Sequence, residues 1–226
     1  MFQIVEPDHP LRPEVEAAIR FAYHRDHGAH LNDFPHWLVA MTDGGGVVGA
    51  ASLRFASDGF FSECYLDQPL EQAVARMGDG GGRSERHLLA EVGNLAATRP
   101  GEVRSLIGGI VRLLRDLGMD WAVFTATARL RALLRHGGMP LIELGRADPA
   151  RLPNADVWGR YYRQDPRVML IGAHMLPDTG PMCSALPPPR ALSLFPAFPS
   201  IASFPPTSPF PQASILARTR HDDFIL

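Results

Sequence analysis

The chain has only two cysteines, Cys64 and Cys183, far apart and without a CxxC neighbour. Neither a disulfide framework nor a cysteine metal site is suggested. Long apolar runs are missing as well: no window comes near the roughly 18 uninterrupted apolar residues of a membrane-crossing helix. The start, MFQIVEPDHP, has no basic region followed by an apolar one, so no signal peptide is read there. Nor does charge of one sign dominate. With 22 basic and 24 acidic residues the net charge is −2, which gives neither nucleic acid nor an anionic membrane surface as the main partner. The expectation is a cytoplasmic, reduced protein without an integral membrane segment.

The most informative stretch is Arg86–Thr127. Leu88–Val92 and Trp121–Thr125 are short apolar runs that fit buried strands. Between them Val103, Leu106, Ile107, Ile110, Val111, Leu114 and Leu117 recur at three- and four-residue spacing, predicting a helix with one apolar face that stops at Gly118. A strand, a crossover helix and a strand make a βαβ unit with parallel strands.

Other elements frame this unit. Phe2–Val5 suits a strand, and a helix is predicted from Pro13 to about Gly28 with Val15, Ala18, Ile19, Ala22 and Tyr23 on one face. Trp37–Met41 and Val47–Arg54 flank Asp43-Gly44-Gly45-Gly46, a hairpin signal. Phe60–Leu66 is read as a short extended piece, Asp67–Met77 as a helix and Gly78–Arg86 as a flexible connection. A helix over 127–136 and strands at Leu141–Leu144, Val157–Tyr162 and Val168–Ile171 complete a mixed α/β domain over residues 1–172. Eleven of the 21 prolines lie beyond it. Proline blocks regular ladders, so residues 173–226 are expected to be disordered or polyproline-like; a docking segment and a frame-shifted extension are the alternatives.

Several residues stand out chemically. His24, His27, His30 and His36 cluster in a polar loop, but their spacing matches no metal motif. Gly93, directly after a strand, marks a bulge or a close approach of another backbone or ligand, and such a bulge splays parallel strands. Thr98–Arg104 opens the central helix with two arginines and a glycine, which suits a phosphate as well as an ordinary cap. Glu91 is a carboxylate in an apolar strand. It needs either a partner such as Arg54, Arg86 or Asn94, or a role as a base with a raised pKa. Glu63 poses the same choice.

The segments YHRDHGAHLNDFPHWLVAM, FFSECYLDQPLE, LAEVGNLAATRPGEVRSL, LGMDWAVFTATARLRALL and ADPARLPNADVWGRYYRQDPRV together resemble the thermostable hemolysin family from about residue 10 to residue 172. That family in turn resembles the acyl-homoserine-lactone synthases and the wider GNAT acyltransferases, through an acidic strand of the form E-x-x-[RN]-[LF]-A and a later F-T-A-T strand. The resemblance implies a GNAT-like mixed sheet with flanking helices. The activity it implies is acyl transfer from an acyl-CoA or acyl-carrier-protein thioester to a small amine, with no tightly bound cofactor and no metal. On this reading Glu91 is the base and Asn94 and Leu95 supply amides to the thioester oxygen. Arg99, Gly101 and Arg104 hold the phosphate, Phe124 and Thr125 flank the donor, and Tyr23, Glu63 and Tyr65 line the acceptor pocket. Asn94 stands where the synthases carry arginine, so their S-adenosylmethionine chemistry is not carried over. Two other readings remain: a hemolysin acting directly on membranes, and a GNAT-like protein that binds without catalysing.

Overall fold

The computed structural model describes residues 1–77 and 84–176. Most of the expected Gly78–Arg86 connection and the tail from residue 177 lie outside them. Among these residues seven strands form one sheet: β1 (Phe2–Val5), β2 (Trp37–Asp43), β3 (Gly46–Arg54), β4 (Leu89–Ala97), β5 (Trp121–Ala126), β6 (Ile142–Arg146) and β7 (Arg167–Gly172). Their order is β1-β2-β3-β4-β5-β7-β6. β4 and β5 pair parallel, as the crossover helix between them requires, and the other neighbours pair antiparallel. The mixed sheet with flanking helices is the expected fold class.

Among the described residues four helices cover the sheet: α1 (Arg12–His27), α2 (Leu70–Arg76), α3 (Pro100–Asp116) and α4 (Ala128–His136). α1 has proline in its first turn and ends on Gly28, whose φ of 67° closes the helix with backbone bonds to His24 and Tyr23. Its Val15, Ile19 and Ala22 pack on Val5, Leu38, Ala40, Ala50 and Ala96. Because side chains alternate along a strand, the intervening residues Val39, Met41, Ala51, Leu53 and Ala90 face the other side, where Leu106, Ile110, Leu113 and Leu114 of α3 cover them. α4 extends that second layer, with Leu134 packed beside Ile107, Met139 and Ile171. Thr127 caps it by accepting the Leu130 amide at 3.4 Å.

Three expectations change. Phe60–Leu66 is not extended: Phe61–Tyr65 forms a 3-10 turn, and the Phe61 and Ser62 amides donate to the Glu91 carboxylate rather than to a neighbouring strand. Val157–Tyr162 is not a strand either. It forms two 3-10 turns, Ala155–Trp158 and Tyr161–Gln164, around Gly159 with φ 56°; the sheet position next to β5 is taken by β7. The strand expected to end at Val92 runs on to Ala97, because β3 continues to pair with it. The chain also keeps packing beyond Gly172, where Arg115 donates to the carbonyls of Ala173 and Leu176. Among the described residues no helix is long and apolar enough to cross a membrane.

Gly159 fixes the second turn pair against the end of α1. A Cβ there would lie 2.4 Å from the His27 carbonyl oxygen, in a backbone conformation that side chains already disfavour. Gly159→Ala is therefore expected to cost at least about 2 kcal/mol, read as a melting temperature lower by roughly 4–8 °C in thermal unfolding. An unchanged melting temperature would show that this contact does not constrain the fold.

Candidate functional site

The site begins where the parallel pair comes apart. β4 and β5 are in register from Leu89 opposite Trp121 to Val92 opposite Phe124. Beyond that point β4 follows β3, up to Ala97 opposite Gly49, while β5 follows β7, up to Ala126 opposite Arg167. The divergence coincides with a bulge: two steps along β3, from Ala50 to Ser52, face three along β4, from Ala96 to Gly93. Asn94 takes the left-handed φ of 48° that the extra residue requires, and its Oδ1 accepts the Ser52 hydroxyl at 2.8 Å. A Cβ on Gly93 would lie only 2.8 Å from that same Ser52 Oγ. Glycine is needed here because of close approach, not because of φ.

A cavity of about 860 Å³ fills the opening, a size that suits a small-molecule ligand. Val92 to Thr98 of the β4 edge form one wall and Phe124 and Thr125 of β5 the other. Towards the second layer the lining is apolar, from Ile107, Ile110, Val111 and Leu114 of α3 to Leu134 and Met139. Near the end of α1 it becomes aromatic and polar, with Tyr23, Asp26, His27, Tyr161 and Gln164. The His27 ring lies 5.4 Å from that of Tyr23 and 5.1 Å from that of Tyr161, both edge-on. His27 Nδ1 is 3.0 Å from Gln164 Nε2. Burial holds the imidazole below its usual pKa against the opposing charge of Asp26, so it is neutral at neutral pH. Burial likewise lifts the Tyr23 hydroxyl far above its ordinary value.

Of the residues singled out in the sequence, Tyr23, Asn94, Leu95, Arg99, Phe124 and Thr125 line this cavity. Glu91 does not. It is 5% exposed and points from β4 to the 3-10 turn, where its carboxylate accepts from the Phe61 amide at 2.5 Å, the Ser62 amide at 2.8 Å and the Ser62 hydroxyl at 2.5 Å. None of the three partners expected for it fills that place: Arg86 pairs with Glu63 and Glu71, Asn94 bonds Ser52, and Arg54 acts on Glu91 only through its charge, from the facing position on β3. Glu63, held by Arg86 and bonded by the Leu70 amide at 2.9 Å, and Tyr65, bonded to the Tyr162 hydroxyl at 2.6 Å, lie outside the cavity wall.

At the start of α3, Glu102 Oε2 accepts the Arg99 amide at 2.9 Å and the Thr98 hydroxyl at 2.5 Å. The helix thus carries its own anion at the position where a phosphate was expected. The Arg99 side chain is 77% exposed beside it. Arg104 is also exposed, and neither it nor Gly101 lines the cavity. Among the described residues no group of three His, Cys, Asp or Glu side chains is placed to hold a metal ion. Sequence reasoning missed Ser62, which is fully buried with its Oγ between Glu91 and, at 3.3 Å, Thr125 Oγ1. Its two partners lie 29 and 63 residues away, beyond the reach of any local pattern.

Burial pushes the Glu91 carboxyl above its usual value near 4.5, against the Ser62 hydroxyl, the two amides and the Arg54 charge, which favour the anion. The folded chain therefore binds this proton more tightly than the unfolded chain. Between the ordinary value and the raised one, stability falls as pH rises. In denaturant unfolding at a series of pH values rising from about 4, wild type is expected to lose stability relative to Glu91→Gln by up to about 1.4 kcal/mol per pH unit until the carboxyl ionises. A difference independent of pH would contradict a carboxyl held in this state.

Solved structures show where else this fold occurs. The CoA-dependent acyl-homoserine lactone synthase MesI aligns with 16% identity and a TM-score of 0.51, over 76% of this chain and 89% of its own. FeeM, an N-acyl amino acid synthase from uncultured soil microbes, aligns with 13% identity and a TM-score of 0.54, over 76% and 91%. The acyl-homoserine lactone synthase LasI aligns with 9% identity and a TM-score of 0.52, over 76% and 89%. At such identities the likeness is one of fold. No curated protein matches the chain. The family model described as Thermostable hemolysin matches residues 5–175, most of the sequence and all of the sheet but Phe2–Ile4 of the first strand, and the chain belongs to the thermostable hemolysin family.

Proposed function

We propose that this protein is an acyltransferase that moves an acyl group from a thioester to a small acceptor bearing an amine. The observation that carries the reading is the cavity at the separated ends of β4 and β5, apolar at one end and polar at the other. A thioester laid in the opening would run its acyl chain along Ile107, Val111, Leu114 and Met139. That wall has far more apolar length than an acetyl group needs, so the donor carries a medium or long chain. Thr98 donates to Val48 across β3. Strand alternation then turns the Leu95 amide to the opposite edge, towards the opening, where it suits a developing oxyanion. Phe124 and Thr125 flank the reacting carbonyl from the other side.

The acceptor takes the aromatic end, beside Tyr23, His27 and Tyr161. Its nitrogen attacks the carbonyl carbon, the C–N bond forms, the C–S bond breaks, and Glu91 receives the amine proton. Arg99 meets the donor phosphate at the cavity rim. Glu102 already occupies the first turn of α3, which favours a single phosphate there over a pyrophosphate and makes acyl carrier protein a donor on equal terms with acyl-CoA. Residues 1–172 are the catalytic unit in this reading, with 173–226 outside it.

The test is thermal unfolding of the full chain with acetyl-CoA, decanoyl-CoA and decanoyl carrier protein. A decanoyl thioester is expected to stabilise the fold, by about 2.7 kcal/mol at a hundred times its Kd. Acetyl-CoA is expected to do so less, and Arg99→Ala to weaken the effect. Red cells given the protein without any thioester are expected to stay intact. Lysis under those conditions, with no response to any thioester, would replace this reading with direct action on membranes.

A further inference from the structure

Glu91 does not line the cavity, so an acceptor amine there has no direct contact with it. The gap is bridged by two hydroxyls. Ser62 Oγ lies 2.5 Å from Glu91 Oε1 and 3.3 Å from Thr125 Oγ1, and Thr125 lines the cavity. We propose that Thr125 and Ser62 form a hydroxyl relay that carries the amine proton out of the cavity to Glu91. The proposal rests on the acyl-transfer reading and assigns the path that reading lacks.

The directions of the bonds follow from the carboxylate. An ionised Glu91 only accepts, so the Ser62 hydroxyl donates to it and turns its lone pairs to Thr125. The Thr125 hydroxyl then donates to Ser62 and keeps a lone pair for a donor in the cavity. An acceptor amine meets that requirement. As its nitrogen bonds to the thioester carbon, its proton passes to Thr125 Oγ1, the Thr125 proton to Ser62 Oγ and the Ser62 proton to Glu91 Oε1. Both hydroxyls end as they began. When the C–S bond breaks, Glu91 returns the proton by the same path to the leaving thiolate, so protons balance over the cycle. The two amides from Phe61 and Ser62 hold the turn in place throughout, which keeps Ser62 Oγ at the midpoint. Thr125 touches the substrate in this scheme, and Ser62 acts as the link.

The experiment uses the full chain with decanoyl-CoA and decanoyl carrier protein as donors and the common amino acids and their amides as acceptors. Thiol release gives the rate and thermal unfolding gives donor binding. In Thr125→Val, which keeps the shape and removes the hydroxyl, kcat is expected to fall about 10²-fold while donor-dependent stabilisation and KM stay as in wild type. Thr125→Ser is expected to recover kcat to within about threefold. Ser62→Ala, shown to be folded by its melting transition, is expected to match Thr125→Val. A Thr125→Val rate within about twofold of wild type overturns the relay and leaves acyl transfer standing. Equal loss in Thr125→Val and Thr125→Ser overturns it too, since packing would then be the cause. A wild type that releases no thiol from either donor overturns the acyl-transfer reading, and the relay with it.

Discussion

The separation of β4 from β5 is the feature on which everything else in this fold depends. A parallel pair that stayed in register would close the sheet and leave no room between its layers. Here the pair holds for four residues and then parts, because β4 takes up an extra residue at Gly93–Asn94 while its other edge remains bonded to β3. The left-handed Asn94 is tolerable because its own side chain is anchored by Ser52, and the close approach of Ser52 leaves space only for glycine at position 93. The helices then decide what the opening becomes. α3 and α4 make one end apolar, and the end of α1 with the Tyr161–Gln164 turn makes the other aromatic and polar.

A second constraint ties the 3-10 turn at Phe61–Tyr65 to this opening. A carboxylate buried as deeply as Glu91 would cost several kcal/mol without partners. It is met by two amides and a hydroxyl from one turn, which cannot leave the sheet without stranding it. The same interaction therefore orders the turn and places a hydroxyl next to the cavity wall. Glu102 plays a smaller version of this part at the start of α3, where a carboxylate from within the helix satisfies the first donors. Internal acids thus complete both turns, one at the cavity rim and one behind the β4 wall.

Membership of the thermostable hemolysin family and a fold shared with acyl-homoserine lactone and N-acyl amino acid synthases describe different levels of the molecule. The first rests on the wording of the chain over nearly the whole described unit, the second on the arrangement of its strands. Fold alone does not assign a reaction. What makes acyl transfer the best reading is that the cavity has the shape and the division into apolar and polar ends that two chemically unlike substrates require.

Much of this was legible from the residues alone. The βαβ unit, the hairpin at Asp43–Gly46, the α1 stop at Gly28 and the bulge at Gly93 all follow from local rules of periodicity and backbone freedom. Glu91 is likewise conspicuous as a charged residue in an apolar strand. Its partners are not, because burial forces a carboxylate to find donors but does not say from which segment they come. Charge and polarity favoured Arg54, Arg86 and Asn94, whereas tertiary packing brought Phe61 and Ser62. The same limit turned Val157–Tyr162 into an expected strand. Its apolar and aromatic residues satisfy strand propensity, but the sheet edge they would have joined was already taken by β7. Local sequence set which segments bend, stop or stay extended, since those choices depend on a few adjacent dihedral angles. Which side chains meet across the opening depended on how the layers close, and only the folded chain determines that.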